Sequence, residues 1–254
     1  MGWADYVSGA VSIERGDAES RRFGMTILNV RCGEEVGGEQ DLGARLADVP
    51  FDLAVVRFPS GSTRLGMELS RSDWSLIVTD PTVYWGTDRL NPRNPPQENG
   101  ILEEASTRDS EILRNVIESS FRGYRSHWHH NPLTAGINMA DAYIEWTESV
   151  VARQQEGAYV LRTESDHEPI GMVLLDFCDS FIEVLLAGIA SEFQGRGHYS
   201  AILAGVEEVA RGRGVDKVVI STQASNINVQ KAWSRWGWLP TKTIQTVHLT
   251  RAEV

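Results

Sequence analysis

The 254-residue sequence predicts an α/β protein: one mixed α+β sheet with helices on both faces, preceded by a smaller α/β region. Three observations predict it. β-Branched runs alternate with amphipathic stretches along the whole chain. A Pro- and Asn-rich break, Leu90–Gly100 (LNPRNPPQENG), separates two regions of domain size, taken as 1–95 and 96–254. Hydrophobic residues make up 41% and charged residues 23%, an ordinary globular balance in a chain long enough to bury a large core.

In the first region Phe23–Val30 reads as a strand, Gln40–Ala47 as a short helix, and Phe51–Phe58 (FDLAVVRF) as a stronger strand closed by Pro-Ser-Gly. Ser62–Leu69 reads as a helix capped by Ser60 or Ser62, and Ser75–Trp85 as a strand region interrupted by Pro81. In the second region Ile101–Glu104 is a short strand, and Thr107 is placed to cap a helix through Phe121. Gly123–Pro132 is polar and His-rich. Ile137–Gln155 is a helix with Met139, Tyr143, Trp146 and Val150 three or four residues apart. Ala158–Arg162, Ile170–Phe177 and Phe181–Ile189 are successive strands. Helix Ser200 to about Arg213, strand Lys217–Thr222, helix Asn228–Trp236 and strand Thr243–Thr250 complete the order.

Charge excludes some functions. The net charge is −11, and residues 1–105 hold 10 basic and 17 acidic side chains. A surface so acidic opposes nucleic-acid binding, which works by displacing counterions with cations, and opposes anionic membrane surfaces. A local anion site made of backbone N–H groups remains open. No apolar run approaches the roughly 18 residues of a membrane span. The first residues, MGWADYVSGAVSIERGDAES, lack the basic and apolar segments of a secretory signal. Cys32 and Cys178 lie far apart, so the expectation is a cytoplasmic protein without disulfides.

The informative stretch is the apolar strand Phe181–Ile189 followed by Gln194-Gly195-Arg196-Gly197-His198-Tyr199-Ser200 and a helix. Glycines let backbone approach a ligand, and successive N–H groups at a helix start bind a diphosphate without cationic side chains. After the next strand comes Asn226-Ile-Asn-Val-Gln-Lys-Ala-Trp233-Ser-Arg-Trp-Gly237-Trp238. Together the two stretches resemble the paired motifs of the GNAT superfamily of acyl-CoA N-acyltransferases. The first is similar to its Q/R-x-x-G-x-G/A pyrophosphate loop, with Tyr199 where a second small residue is usual. The second is similar to its N-x-x-A-x-x-x-Y-x-x-x-G-F motif, with Trp233 in place of the tyrosine. The resemblance covers about residues 100–250.

A narrower likeness lies in Ser126-His-Trp-His129-His-Asn131-Pro132-Leu and the helix bearing Tyr143 and Trp146. It resembles TDP-amino-sugar N-acetyltransferases of the TDP-fucosamine type, which also carry a smaller domain like a truncated copy of the catalytic one.

What the resemblance implies is an enzyme: acyl transfer from acetyl-CoA or another acyl-CoA to the amine of a small acceptor, a nucleotide-linked amino sugar first. Backbone N–H groups around Leu186, Ala187, Gly188 and Ile189 would face the thioester oxygen, with Gly188 permitting a bulge. Gln194, Gly195, Arg196, Gly197, His198, Tyr199, Ser200, Asn226 and Trp233 would hold the cofactor. Glu183, six residues before Ile189, is placed as a general base, or else is a solvent-facing or salt-bridged carboxylate. His129 is a second candidate for base or phosphate donor on the acceptor side. Trp233 cannot replace a tyrosine as proton source, since indole N–H only donates a hydrogen bond; packing is its other role. His127, His129 and His130 lack nearby carboxylate or cysteine partners, so no metal is expected. Two alternatives stand beside this: transfer from a phosphopantetheine on an acyl carrier protein, and an acyl-CoA binder without turnover. Monomer and homodimer are both open.

Overall fold

A computed structural model of the protein describes residues 11–33, 42–90, 100–152 and 157–251. The first region opens with strand β1 (Val11–Arg15), helix α1 (Asp17–Phe23) and strand β2 (Ile27–Cys32). The strand expected from Phe23 starts later because Phe23 closes a helix. Asp17 and Glu19 lie in its first turn, Arg21 and Arg22 in its last, and Gly24 ends it at φ 66°. Helix α2 (Leu42–Ala47), strand β3 (Leu53–Pro59) and helix α3 (Thr63–Ser70) follow. The run expected to break at Pro81 forms β4 (Ser75–Val78) and β5 (Thr82–Thr87).

The second region contains β6 (Ile101–Glu104), α4 (Ser110–Phe121), α5 (Met139–Ala152), β7 (Ala158–Arg162), β8 (Pro169–Phe177) and β9 (Ile182–Ile189). It continues with α6 (Tyr199–Gly212), β10 (Val218–Gln223), α7 (Ile227–Trp236) and β11 (Leu239–Thr250). The residue capping the turn before α4 is Ser106 rather than Thr107: its Oγ accepts from Arg108 N–H, while Asp109 accepts from Ser106 N–H.

The described strands all join one 11-stranded sheet in the order β1-β2-β3-β11-β5-β10-β9-β8-β7-β6, with β4 also on β11. The break at residues 90–100 divides the chain but not the sheet. The last strand, β11, runs between β3 and β5 of the first region, and β5 in turn pairs with β10 of the second. Pro240 has no N–H for the ladder, and the β11–β5 register shifts between Pro240 and Lys242.

Strand pairing assigns the faces. Glu183, Val219, Tyr84, Ile244, His248 and Arg57 share one face, because each pair meets across a register or lies two residues along a strand. On this face α4 and α5 pack over β7–β9, and Trp128 and Met139 pack over β2 and β3. On the other face α6 and α7 cover the second region with Trp233, Trp236 and Trp238, while α2 and α3 cover the first. Among the described residues no helix is long and apolar enough to cross a membrane.

One buried carboxylate ties α6 to the end of α7. Glu207, 1% exposed, accepts the indole N–H of Trp236 at 2.9 Å and of Trp238 at 3.1 Å on one oxygen, and Arg211 at 3.1 Å on the other. Glu207→Ala would strand two buried indole donors, so denaturant unfolding should show a loss of about 3–5 kcal/mol. Glu207→Gln keeps a carbonyl for both indoles and should lose much less. Equal losses in the two variants would refute this account.

Candidate active site

The sheet opens between β9 and β10. These parallel strands pair only where Val218, Val219 and Ile220 meet Ile182, Glu183 and Val184. Beyond that point Leu186–Ile189 and Ser221–Gln223 have no paired residues between them. The divergence starts where β9 carries an extra residue: Leu174 pairs with Leu186 and Leu175 with Val184, leaving Leu185 as the bulge. The bulge expected at Gly188 is therefore at Leu185. Gly188 keeps its register with Met172, and its missing side chain serves packing. A Cβ there would lie 3.0 Å from Ser120 Cβ and 3.1 Å from Phe121, so glycine lets α4 lie close against the open strand. Ser120 Oγ is buried beside it with no hydrogen-bond partner among the described residues.

The glycine loop lies at the end of the opening. Gln194 Nε2 donates to the Ile189 carbonyl at 2.8 Å, fastening the loop to the end of β9. Gly195 and Gly197 take φ of 77° and 88°, where side chains other than glycine are strained, and both face open space. The exposed chain from Gly195 leads straight into the 14-residue helix α6, with His198 at its N-cap position and Ser200 Oγ donating to Gly197 carbonyl. Arg196 lies over the Phe193 ring, 5.7 Å from its centre, and the His198 ring is 6.2 Å from Phe193.

Side chains approach the opening from both faces. Glu183 is buried, 3% exposed, at the closed end of the opening, in register with Val219. It faces the α4–α5 side and not solvent. On that side Tyr124 donates to Gln223 Oε1 at the end of β10, and burial pushes its phenol above the usual range. From the opposite side Trp233, 1% exposed, donates its indole N–H to Tyr199 Oη at 3.2 Å. Asn226 occupies the N-cap position of α7 but its side chain does not cap; Nδ2 donates to Thr222 Oγ1 at 3.0 Å, bracing β10.

The His-rich stretch divides its labour. His129 Nδ1 accepts from Ser126 N–H at 3.0 Å and so holds its own turn. His127 instead points into the sheet. Its Nε2 lies 3.0 Å from Arg57 Nη2, its Nδ1 2.9 Å from His248 Nε2, and His248 Nδ1 lies 3.3 Å from Asn131 Nδ2. Arg57 can only donate here. Asn131 also offers a donor, because its oxygen takes the Leu133 N–H. Each neutral imidazole has one donor and one acceptor, so the chain has more donors than acceptors. Another proton on either ring would worsen that excess and add a charge beside Arg57. Burial and the Arg57 charge accordingly push His127 well below the ordinary range and His248 down to about 3. This chain joins β3, β11 and the segment after α4. Among the described residues no three His, Cys, Asp or Glu side chains converge as metal ligands.

Residues 114–238 match the acetyltransferase (GNAT) family. This stretch is a GNAT acetyltransferase domain. It spans α4 through Trp238 and so contains the opening, the glycine loop and both motifs. By sequence, no curated protein matches the chain. Solved structures share the fold. A GCN5-related N-acetyltransferase from Sphaerobacter thermophilus is 15% identical with a TM-score of 0.61, over 96% of this chain and 77% of that one. A functionally unknown conserved protein from Staphylococcus epidermidis ATCC 12228 is 14% identical with a TM-score of 0.61, over 99% and 98%. A tandem GNAT protein from the clavulanic acid biosynthesis pathway is 12% identical with a TM-score of 0.55, over 91% and 79%. The likeness therefore extends beyond the GNAT domain into the first region.

Tyr124, Ser120, Arg57 and His248 were not singled out by the sequence. Arg57 within FDLAVVRF was the one legible hint, a charge inside an apolar strand.

Proposed function

We propose that the protein transfers an acetyl or other short acyl group from acyl-CoA to the amine of a small acceptor. The observation that carries this is the opening between β9 and β10, which ends at the Gly195–Gly197 loop and the N-terminus of α6. The residues present fit such a donor. The glycine loop offers open space, consecutive amides and a helix dipole to a diphosphate, and Arg196 adds the nearest loop cation. Gly188 lets α4 bring the partnerless Ser120 Oγ close against the open edge of β9. Gln194, His198, Tyr199, Ser200, Asn226 and Trp233 complete the lining.

When bound, the donor supplies an electrophilic thioester carbonyl. Of Leu186–Ile189, the N–H groups of Ala187 and Ile189 point away from β8 to the open edge and stabilise the charge that develops on its oxygen. Glu183 takes the proton of the attacking amine from the α4–α5 side. Holding both partners in the opening contributes the proximity term. His129 remains on the acceptor side, with Nε2 free of the turn's own bond to Nδ1. Region 1–95 acts as an accessory lobe, and a nucleotide-linked amino sugar heads the acceptor panel, supported by the likeness of Ser126–Leu133. A cytoplasmic location suits Cys32 and Cys178, which are not joined in a disulfide. A carrier-protein donor is the weaker reading. Arg211 binds Glu207, Lys217 pairs with Asp88, and Arg213 stacks on Phe177, so these cations already serve this chain.

Native mass spectrometry of the purified protein should show a mass increment for CoA or acetyl-CoA, and thiol release with product mass should appear with at least one amine. Tight acyl-CoA binding without release across a broad panel would favour a binder instead. Gly197→Val forces a side chain into φ 88° and should weaken CoA binding at least tenfold in calorimetry; unchanged affinity would remove the loop from the donor site.

A further inference from the structure

We propose that Tyr199, not Trp233, is the side chain that hydrogen-bonds the departing sulfur, with the Trp233 indole fixing its orientation. This rests on the acyl-CoA reading above and assigns one more catalytic residue within it.

Three observations lead here. First, Trp233 is buried on α7 against Trp85, 6.1 Å between ring centres, and its single N–H is already spent: it donates to Tyr199 Oη at 3.2 Å. Indole has no second donor. Second, that bond occupies the phenol oxygen as an acceptor, and its own O–H meets no acceptor among the described residues. The hydrogen is thus free to be donated elsewhere. Third, the loop that leads into Tyr199 is fastened to the end of β9 by Gln194 Nε2 on the Ile189 carbonyl, beyond the point where β9 and β10 part, so Tyr199 enters the fold at the open end of that edge. Tyr199 is also the first residue of α6, directly after the glycine loop, so one short segment would contact both diphosphate and sulfur.

The step balances without further reagents. The amine lone pair forms the C–N bond. The C–S pair leaves on sulfur. The nitrogen proton passes to Glu183 and on to solvent, and solvent protonates the thiolate after release. Tyr199 donates a hydrogen bond to the sulfur as the C–S bond breaks, and keeps its proton. Its burial, which pushes the phenol up to about 12, suits a donor that stays protonated beside a thiol of reference pKa about 8.5. Trp233, by donating to the phenol oxygen, aligns the O–H rather than competing for the sulfur.

Equilibrium binding tests this without turnover. Calorimetry with CoA and desulfo-CoA at pH 7 and pH 9 compares wild type, Tyr199→Phe and Trp233→Phe. Wild type should prefer CoA, more so at pH 9 as thiolate forms. Tyr199→Phe should lose that preference, the ratio of CoA to desulfo-CoA affinity, about tenfold. Trp233→Phe, which leaves the phenol but frees its orientation, should lose part of it. A preference that survives in Tyr199→Phe overturns the assignment. Should Tyr199→Phe fail to fold, an undiminished preference in Trp233→Phe overturns it. Wild type that binds neither ligand sinks the acyl-CoA reading itself, and a wild type that binds both equally sinks only the role of Tyr199.

Discussion

Glu183→Gln should lower kcat by about 10²–10⁴-fold while leaving CoA affinity within about twofold. The carboxylate is the only ionisable side chain of β9 and is 3% exposed on the face that α4 and α5 cover. It lies in register with Val219, the middle residue of the short paired segment, so it stands two residues before the Leu185 bulge. At about 3.3 Å per residue, that is roughly 7 Å along the strand from where the edge opens. An amine entering from the acceptor side and reaching the open edge would meet Glu183 directly or through one water. Glutamine preserves size and hydrogen-bonding shape but cannot take a proton. Single-turnover rates at saturating donor, with calorimetry of CoA, separate loss of the base from loss of the fold. An unchanged rate would remove Glu183 from proton transfer and leave its burial as a structural matter.

The parts that sequence could reveal are those whose requirements are local. Gln194–Gly197 needs positive φ at two glycines and a helix immediately after, and each is written in adjacent residues. Gly237, at φ 100°, closes α7 and delivers Trp238 to Glu207 for the same kind of reason. The alternating strands around Phe51–Phe58 and Ile170–Phe177 declare themselves by β-branched content. What stayed hidden depends on pairing between distant segments. Nothing near Thr243–Thr250 says that the strand enters between β3 and β5, yet that insertion brings His248 to His127 across 121 positions of chain. Tyr124 belongs to the site only because β10 ends at Gln223, 99 positions later. Gly188 read as a bulge former because glycine often is one. In the fold its vacancy admits Ser120 and Phe121, a packing demand set by α4 and invisible in the strand itself.

The buried imidazole chain predicts acid lability of the fold. His248 is fully buried and held at about 3 in the folded state, against an unfolded value near 6.5. A group whose folded pKa is depressed in this way contributes stability that is complete above the unfolded pKa. It is lost as pH falls towards the folded one, because only the unfolded chain takes up the proton in that window. Between pH 7 and pH 5 this single site should remove about 2 kcal/mol of unfolding free energy, rising to about 4 kcal/mol near pH 3. His127, lowered by the same burial and by Arg57, adds in the same direction, and the two rings titrate as a pair. The physical origin is the donor excess: with Arg57 and the Asn131 amide nitrogen at its ends, the chain has nowhere to place another N–H. Urea unfolding at pH 8, 7, 6 and 5 should therefore show wild type losing about 2 kcal/mol more than His248→Gln over pH 7 to 5. The variant itself should be less stable than wild type at pH 8. The exposed histidines contribute equally to both proteins and cancel in the difference. Parallel stability curves would mean that His248 is protonated in the fold as readily as in the open chain, and that the chain from Arg57 to Asn131 accommodates the charge.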